Sequence, residues 1–149
     1  MDGIRTGTRR LTTRAALDDY IAGFNADDFP RYCAYYAEDI VMNISELQNK
    51  TLPGYIEWLK PLHSLVSEEL IPQKIAIDVD GKYVVVDYHV QFRGLGDFKT
   101  DNFIDKFGPV YKGAGPLVQM SLWYHLDSNG FVSELEVNGF GLLKAAEAE

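Results

Sequence analysis

Lys82-Tyr-Val-Val-Val-Asp-Tyr-His-Val-Gln-Phe-Arg93 is the stretch that decides the fold of this chain. It is β-branched and aromatic, has the length of a strand and follows the turn pair Asp80-Gly81. The even positions Val84, Val86, Tyr88, Val90 and Phe92 are all apolar or aromatic, whereas the odd positions become polar toward the far end. Successive side chains of a strand point to opposite faces, so the even face is expected inside and the odd face toward water or a second subunit.

Leu117–Leu126 and Phe131–Phe140 read as two more strands, joined by the turn Asp127-Ser-Asn-Gly130. Ahead of the central stretch, Gln73–Val79 reads as a strand with Ile75, Ile77 and Val79 inward. Further upstream the period changes from 2 to 3.6. A helix capped by Thr12 or Thr13 runs to about Asn25, with Ala16, Leu17, Tyr20, Ile21 and Phe24 on one face. Phe29-Pro30 starts a second helix through Ala37, and Ile40–Ile44 follows as a short strand. A third helix, capped by Thr51, carries Tyr55, Ile56, Trp58 and Leu59 and is kinked or restarted at Pro61. Helices followed by antiparallel strands make an α+β fold with the helices on one sheet face. Residues 1–11 are expected to be a flexible N-terminal segment, 12–141 a single domain and 142–149 a C-terminal tail.

The chain has 149 residues, enough for one domain to bury a core without disulfides. Its 22 acidic against 14 basic side chains give a net charge of −8, which argues against nucleic acid or an anionic membrane as partner. No run approaches the length of about 18 apolar residues that a membrane span needs. The single cysteine, Cys33, excludes an internal disulfide, and the expected location is the cytoplasm.

Two segments carry a resemblance. Tyr20-Ile-Ala-Gly-Phe-Asn-Ala-Asp-Asp-Phe, then Tyr36-Ala-Glu-Asp-Ile-Val-Met, resembles the opening of the nuclear-transport-factor-2-like (NTF2-like) superfamily. Leu126-Asp-Ser-Asn-Gly130-Phe-Val-Ser-Glu-Leu is similar to that superfamily's last hairpin. Within it, the SnoaL-like polyketide cyclases, isomerases and dehydratases resemble the chain most. The resemblance implies a cone-shaped, curved antiparallel sheet packed on three N-terminal helices and enclosing a pocket, and a homodimer formed through the sheet's outer face. It also implies a small enzyme without cofactor or metal, acting on an apolar cyclic metabolite by cyclisation, isomerisation or dehydration. In the ketosteroid isomerase branch a first-helix tyrosine hydrogen-bonds the developing enolate, and that position is Tyr20 here. The branch's aspartate base falls on Ile44 and its protonated acid on Leu122, both apolar in this chain. The tyrosine and aspartate of the scytalone dehydratase branch fall near Phe24 and Asn25.

Proton transfer beside a carbonyl needs a base and a donor for the oxyanion. Tyr20 is the candidate donor, although a tyrosine on an apolar helix face also serves simply as core. The candidate pocket lining is Phe24, Met42, Trp58, Tyr88, Met120, Leu122 and Tyr124. For the base, the Gly- and Pro-rich segment 94–116 offers Asp101 and Asp105, on what is either a solvated loop or a lid. His89 and His125 lie on the outer faces of their strands beside Asp87 and Trp123, where a pH-sensitive dimer interface is the simplest role and a third metal ligand is lacking. His63, just after Pro61, is expected at the surface or the pocket rim. Asn25 either ends its helix or orients a substrate, and Cys33 reads as inert packing. A non-catalytic binding module is the alternative to an enzyme.

Overall fold

A computed structural model describes residues 4–97 and 103–147, with Phe103 and Asp105 described by their backbone alone. The elements in chain order are α1 (Arg14–Asn25), α2 (Phe29–Cys33), β1 (Tyr36–Asn43), α3 (Leu52–Leu65), β2 (Val66–Ile77), β3 (Tyr83–Gly94), a short 3-10 helix (Phe103–Phe107), β4 (Leu117–Leu126) and β5 (Val132–Lys144). The five strands form one curved, open sheet in the order β1-β5-β4-β3-β2. All neighbours are antiparallel except β1 and β5, which run parallel. Helix α1 packs on α2 and β2, while α3 packs on β1 and β2, so the helices cover one face of the sheet.

The alternation along the central strand is reproduced in the burial. Val84, Val86, Tyr88, Val90 and Phe92 are fully buried, and so are Val118 and Tyr124 on β4. Each helix starts where a side chain accepts an otherwise unpaired backbone N–H. Thr13 accepts from Ala16, Asp28 from Arg31 and Thr51 from Gly54. Pro61 neither ends nor restarts α3, which continues to Leu65.

Five boundaries differ from the periodicity reading, most of them because a tertiary contact overrides local preference. Helix α2 stops at Cys33 rather than Ala37, because Tyr36 is drawn into the parallel pairing opposite Val132. Strand β2 begins at Val66, directly after α3, because Val66 pairs with Gly94. It ends at Ile77, and Val79 stands 97% exposed in the turn. At the N-terminus, Gly7 donates to the Tyr36 carbonyl, Leu11 donates to the Gly130 carbonyl, and the Leu11 side chain is fully buried, so residues 7–11 are hydrogen-bonded and packed onto the domain. At the other end β5 runs to Lys144, paired with Leu117, and takes in the first three residues of the expected tail.

Candidate active site

The hollow between the helices and the inner sheet face is a narrow cleft of about 40 Å³. Tyr20 and Phe24 of α1 and Tyr55, Trp58 and Leu59 of α3 form one wall. Glu68 and Leu70 of β2, Met120 and Leu122 of β4, and Leu135, Val137 and Phe140 of β5 form the other, with Ile44 at the end of β1. Such apolar lining with a few polar groups is the usual composition of a small-molecule site.

Of the residues singled out from sequence, Tyr20, Phe24, Trp58, Met120 and Leu122 line this hollow. Met42, Tyr88 and Tyr124 are fully buried but outside its lining. Tyr88 and Tyr124 bind each other, hydroxyl to hydroxyl at 2.9 Å, as a polar pair within the core. Asp101 and the side chain of Asp105 lie outside the described residues. The outer-face histidines are kept apart by the register. His89 stands opposite Gln119 and His125 opposite Tyr83, so they do not meet; His125 stacks on Trp123 and bonds Glu136 at 2.8 Å. Asn25 acts structurally: its amide donates to the Leu70 carbonyl and accepts from the Leu70 N–H, closing the free edge of β2.

Tyr20 is the centre of an aromatic cluster. Its ring meets those of Tyr32, Tyr35, Tyr36 and Tyr124 edge-on at 5.3–5.9 Å. Its hydroxyl lies 2.6 Å from the Tyr36 hydroxyl. Burial pushes the Tyr20, Tyr36 and Tyr55 phenols well above their ordinary range, so each keeps its proton and remains a donor. The Cys33 thiol is pushed up to about 12 by burial, which leaves it unreactive.

The group the sequence did not reveal is centred on His63. This residue sits in the last turn of α3, and its side chain is only 5% exposed rather than at the surface. Nδ1 lies 2.7 Å from Oδ1 of Asp27, and Nε2 lies 2.9 Å from Oε1 of Glu68. The ring packs edge-on against Phe24. Burial lowers the tendency of His63 to hold a second proton, but the Glu68 and then the Asp27 carboxylates outweigh it, and the net shift is upward. Local structure sets up both partners. Asp27 follows the end of α1 with φ 55°, a left-handed conformation that turns the chain from α1 into α2. Glu68 comes two residues after α3 gives way to β2 at Val66, on the inner face of that strand, with its side chain 8% exposed. It is the one carboxylate among the described lining residues, and it also borders a second depression shared with Asp27 and His63.

Two signals in the sequence could have pointed here, although periodicity did not pick them out. Asp27 belongs to the helix-breaking pair that ends α1, and Val66, Glu68 and Leu70 alternate as an inner strand face would. Among the described residues no cluster of three or more His, Cys, Asp or Glu is placed to hold a metal ion, and no helix is long and apolar enough to cross a membrane.

No family model matches the sequence, and no curated protein does; the likeness to known proteins lies in the three-dimensional structure. A proposed polyketide cyclase from Pseudomonas putida superposes with a TM-score of 0.66 at 17% identity, covering 91% of this chain and 92% of that one. AclR, a proposed hydroxylase from Streptomyces galilaeus, gives 0.62 at 16% identity over 84% of this chain and 86% of its own. An NTF2-like protein of unknown function from Cytophaga hutchinsonii gives 0.53 at 14% identity over 89% and 93%. With its helices on one face of a curved five-stranded sheet and a hollow between them, the chain has the NTF2-like fold, in the form shared by structures named as polyketide cyclases.

Proposed function

We propose that this protein is a cofactor-independent enzyme of SnoaL-like type that takes an apolar cyclic metabolite into the hollow and moves a proton beside a carbonyl. The observation that carries this reading is Glu68, a carboxylate in an otherwise apolar lining, backed by His63 and Asp27. A carboxylate only 8% exposed is costly unless paired, and His63 is its partner. Glu68 is then the base, in place of the apolar Ile44 and ahead of Asp101 and Asp105. Tyr20 is the donor to the developing oxyanion. With Tyr36 donating to Tyr20, the proton of Tyr20 is free for a substrate oxygen. Aldol-type cyclisation, migration of a double bond beside a carbonyl and stepwise elimination of a β-hydroxyl all pass through such an enolate.

2-Tetralone in deuterated water provides the test, because its carbons beside the carbonyl exchange protons visibly by NMR. The native protein is expected to accelerate exchange, and Glu68→Gln to abolish the acceleration. Asp101→Asn and Asp105→Asn are expected to leave it intact. No acceleration across a panel of apolar cyclic ketones would refute the enzyme. That result would favour a non-catalytic binder, a reading supported by the narrowness of the hollow and by apolar Ile44 and Leu122 at its lining. We further propose a homodimer through the outer sheet face, where Tyr83, Trp123 and His125 form an aromatic row. The lone cysteine, buried as a free thiol, suits the cytoplasm.

A further inference from the structure

The scheme above leaves one polar group of the hollow without a task. Tyr55 is 5% exposed, lines the hollow and rests its ring 6.3 Å from that of Trp58. Its hydroxyl has no hydrogen-bond partner among the described residues. Tyr55, Tyr20 and Glu68 line the same narrow hollow, so the Tyr55 ring stands in the space that the acid–base groups share. The Tyr32 hydroxyl, packed against the rings of Tyr20 and Tyr36, is fully buried without a partner. Buried hydroxyls are nearly always paired, and an orphan facing a cavity is satisfied by whatever fills it.

We infer that Tyr55 and Glu68 together form a subsite for a single hydroxyl on an otherwise apolar, uncharged ring, with Tyr55 donating to its oxygen and Glu68 accepting its proton. A hydroxyl has one proton to give and two lone pairs to receive, which matches this donor and this acceptor. The charge balance argues for a neutral ligand. A phenolate or carboxylate would face Glu68 with like charge, and an ammonium group would gain little where His63 already stands against that carboxylate. Tyr55 is thus a specificity-determining residue for the hydroxylated ring, separate from Tyr20, which serves the carbonyl. The inference rests on the hollow being the binding site proposed above.

Ligand-observed NMR titration with 2-naphthol, naphthalene and 2-naphthylmethylamine tests it. The native protein is expected to bind 2-naphthol about tenfold more tightly than naphthalene, the scale of one buried hydrogen bond to an otherwise unpaired group. Tyr55→Phe keeps the ring, so it is expected to leave naphthalene affinity unchanged and bring the two affinities within about twofold of each other. Equal affinity for naphthol and naphthalene in the native protein, an unchanged ratio in Tyr55→Phe, or tightest binding of the amine would each overturn the subsite. If that happens while Glu68→Gln still abolishes tetralone exchange, only the role of Tyr55 falls. If none of the three probes binds, the hollow itself is refuted as a site, and the proposed enzyme with it.

Discussion

His63→Ala tests the electrostatic argument where it is strongest. The substitution removes both of the ring's bonds, but the two carboxylates lose unequally. Asp27 is 51% exposed and returns to water, so its share is that of a surface pair, about 0–1 kcal/mol. Glu68 is 8% exposed and is left as a buried carboxylate without its partner, which costs about 3–5 kcal/mol. The expected loss is therefore about 4 kcal/mol at pH 6, nearly all of it through Glu68. Its pH dependence follows from the direction of the His63 shift. The folded protein holds the imidazolium proton more tightly than the unfolded chain, whose histidine titrates near 6.5. The stabilisation is thus fully present below about pH 6.5 and is lost as pH rises through the higher folded value. Urea unfolding followed by tryptophan fluorescence from pH 6 to pH 10 should show the gap between native protein and His63→Ala narrowing. Asp27→Asn, measured alongside, should cost no more than about 1 kcal/mol. A gap below 1 kcal/mol at pH 6, a gap that does not change with pH, or an Asp27→Asn loss equal to that of His63→Ala would refute the reasoning.

Two further outcomes are expected. Tyr20→Phe leaves the Tyr36 hydroxyl buried without its 2.6 Å partner, so unfolding should report a loss of about 1–3 kcal/mol while tetralone exchange slows at least tenfold; unchanged exchange would remove the donor role. Trp123→Glu places a charge in the outer aromatic row, and sedimentation equilibrium should show a dimer of the native protein turned into a monomer with an unaltered far-UV circular dichroism spectrum. A native protein that is already monomeric would dismiss that interface.

The fold was legible because its signals are periodic and long. Five inward side chains at alternate positions on β3, answered by Val118, Met120, Leu122 and Tyr124 on β4, leave one way to face the sheet. A one-residue error would have turned every one of those side chains to water. Boundaries were less legible because pairing partners distant in sequence set them: Val132 extends β1 back to Tyr36, and Gly94 extends β2 back to Val66. The acid–base group was harder still. Asp27, His63 and Glu68 come from a helix end, a helix's last turn and a strand's start, and no spacing rule connects them. A histidine after a proline near the end of a helix looks like a surface residue until the helix is seen to pass directly into a strand that brings Glu68 beneath it.

One irregularity in β2 reconciles the core with the chemistry. Before it the inward residues have even numbers, Val66, Glu68 and Leu70; after it they have odd numbers, Ile75 and Ile77. The change of parity occurs between Pro72 and Lys74, where the pairing skips Gln73: Pro72 stands opposite Tyr88 and Lys74 opposite Asp87. A single extra residue bulges the strand and exchanges its faces from that point on. A strand without the bulge would have to choose, since Ile75 and Ile77 cannot face inward together with Glu68. Val66 and Leu70 come inward with Glu68, and fully burying such a side chain is worth about 1.5–3 kcal/mol each, so a regular strand would keep Glu68 toward the hollow and turn the half-buried Ile75 and Ile77 out to water. Strand β2 carries both a hydrophobic end that closes the core and a charged end that faces the hollow because the bulge stands between them.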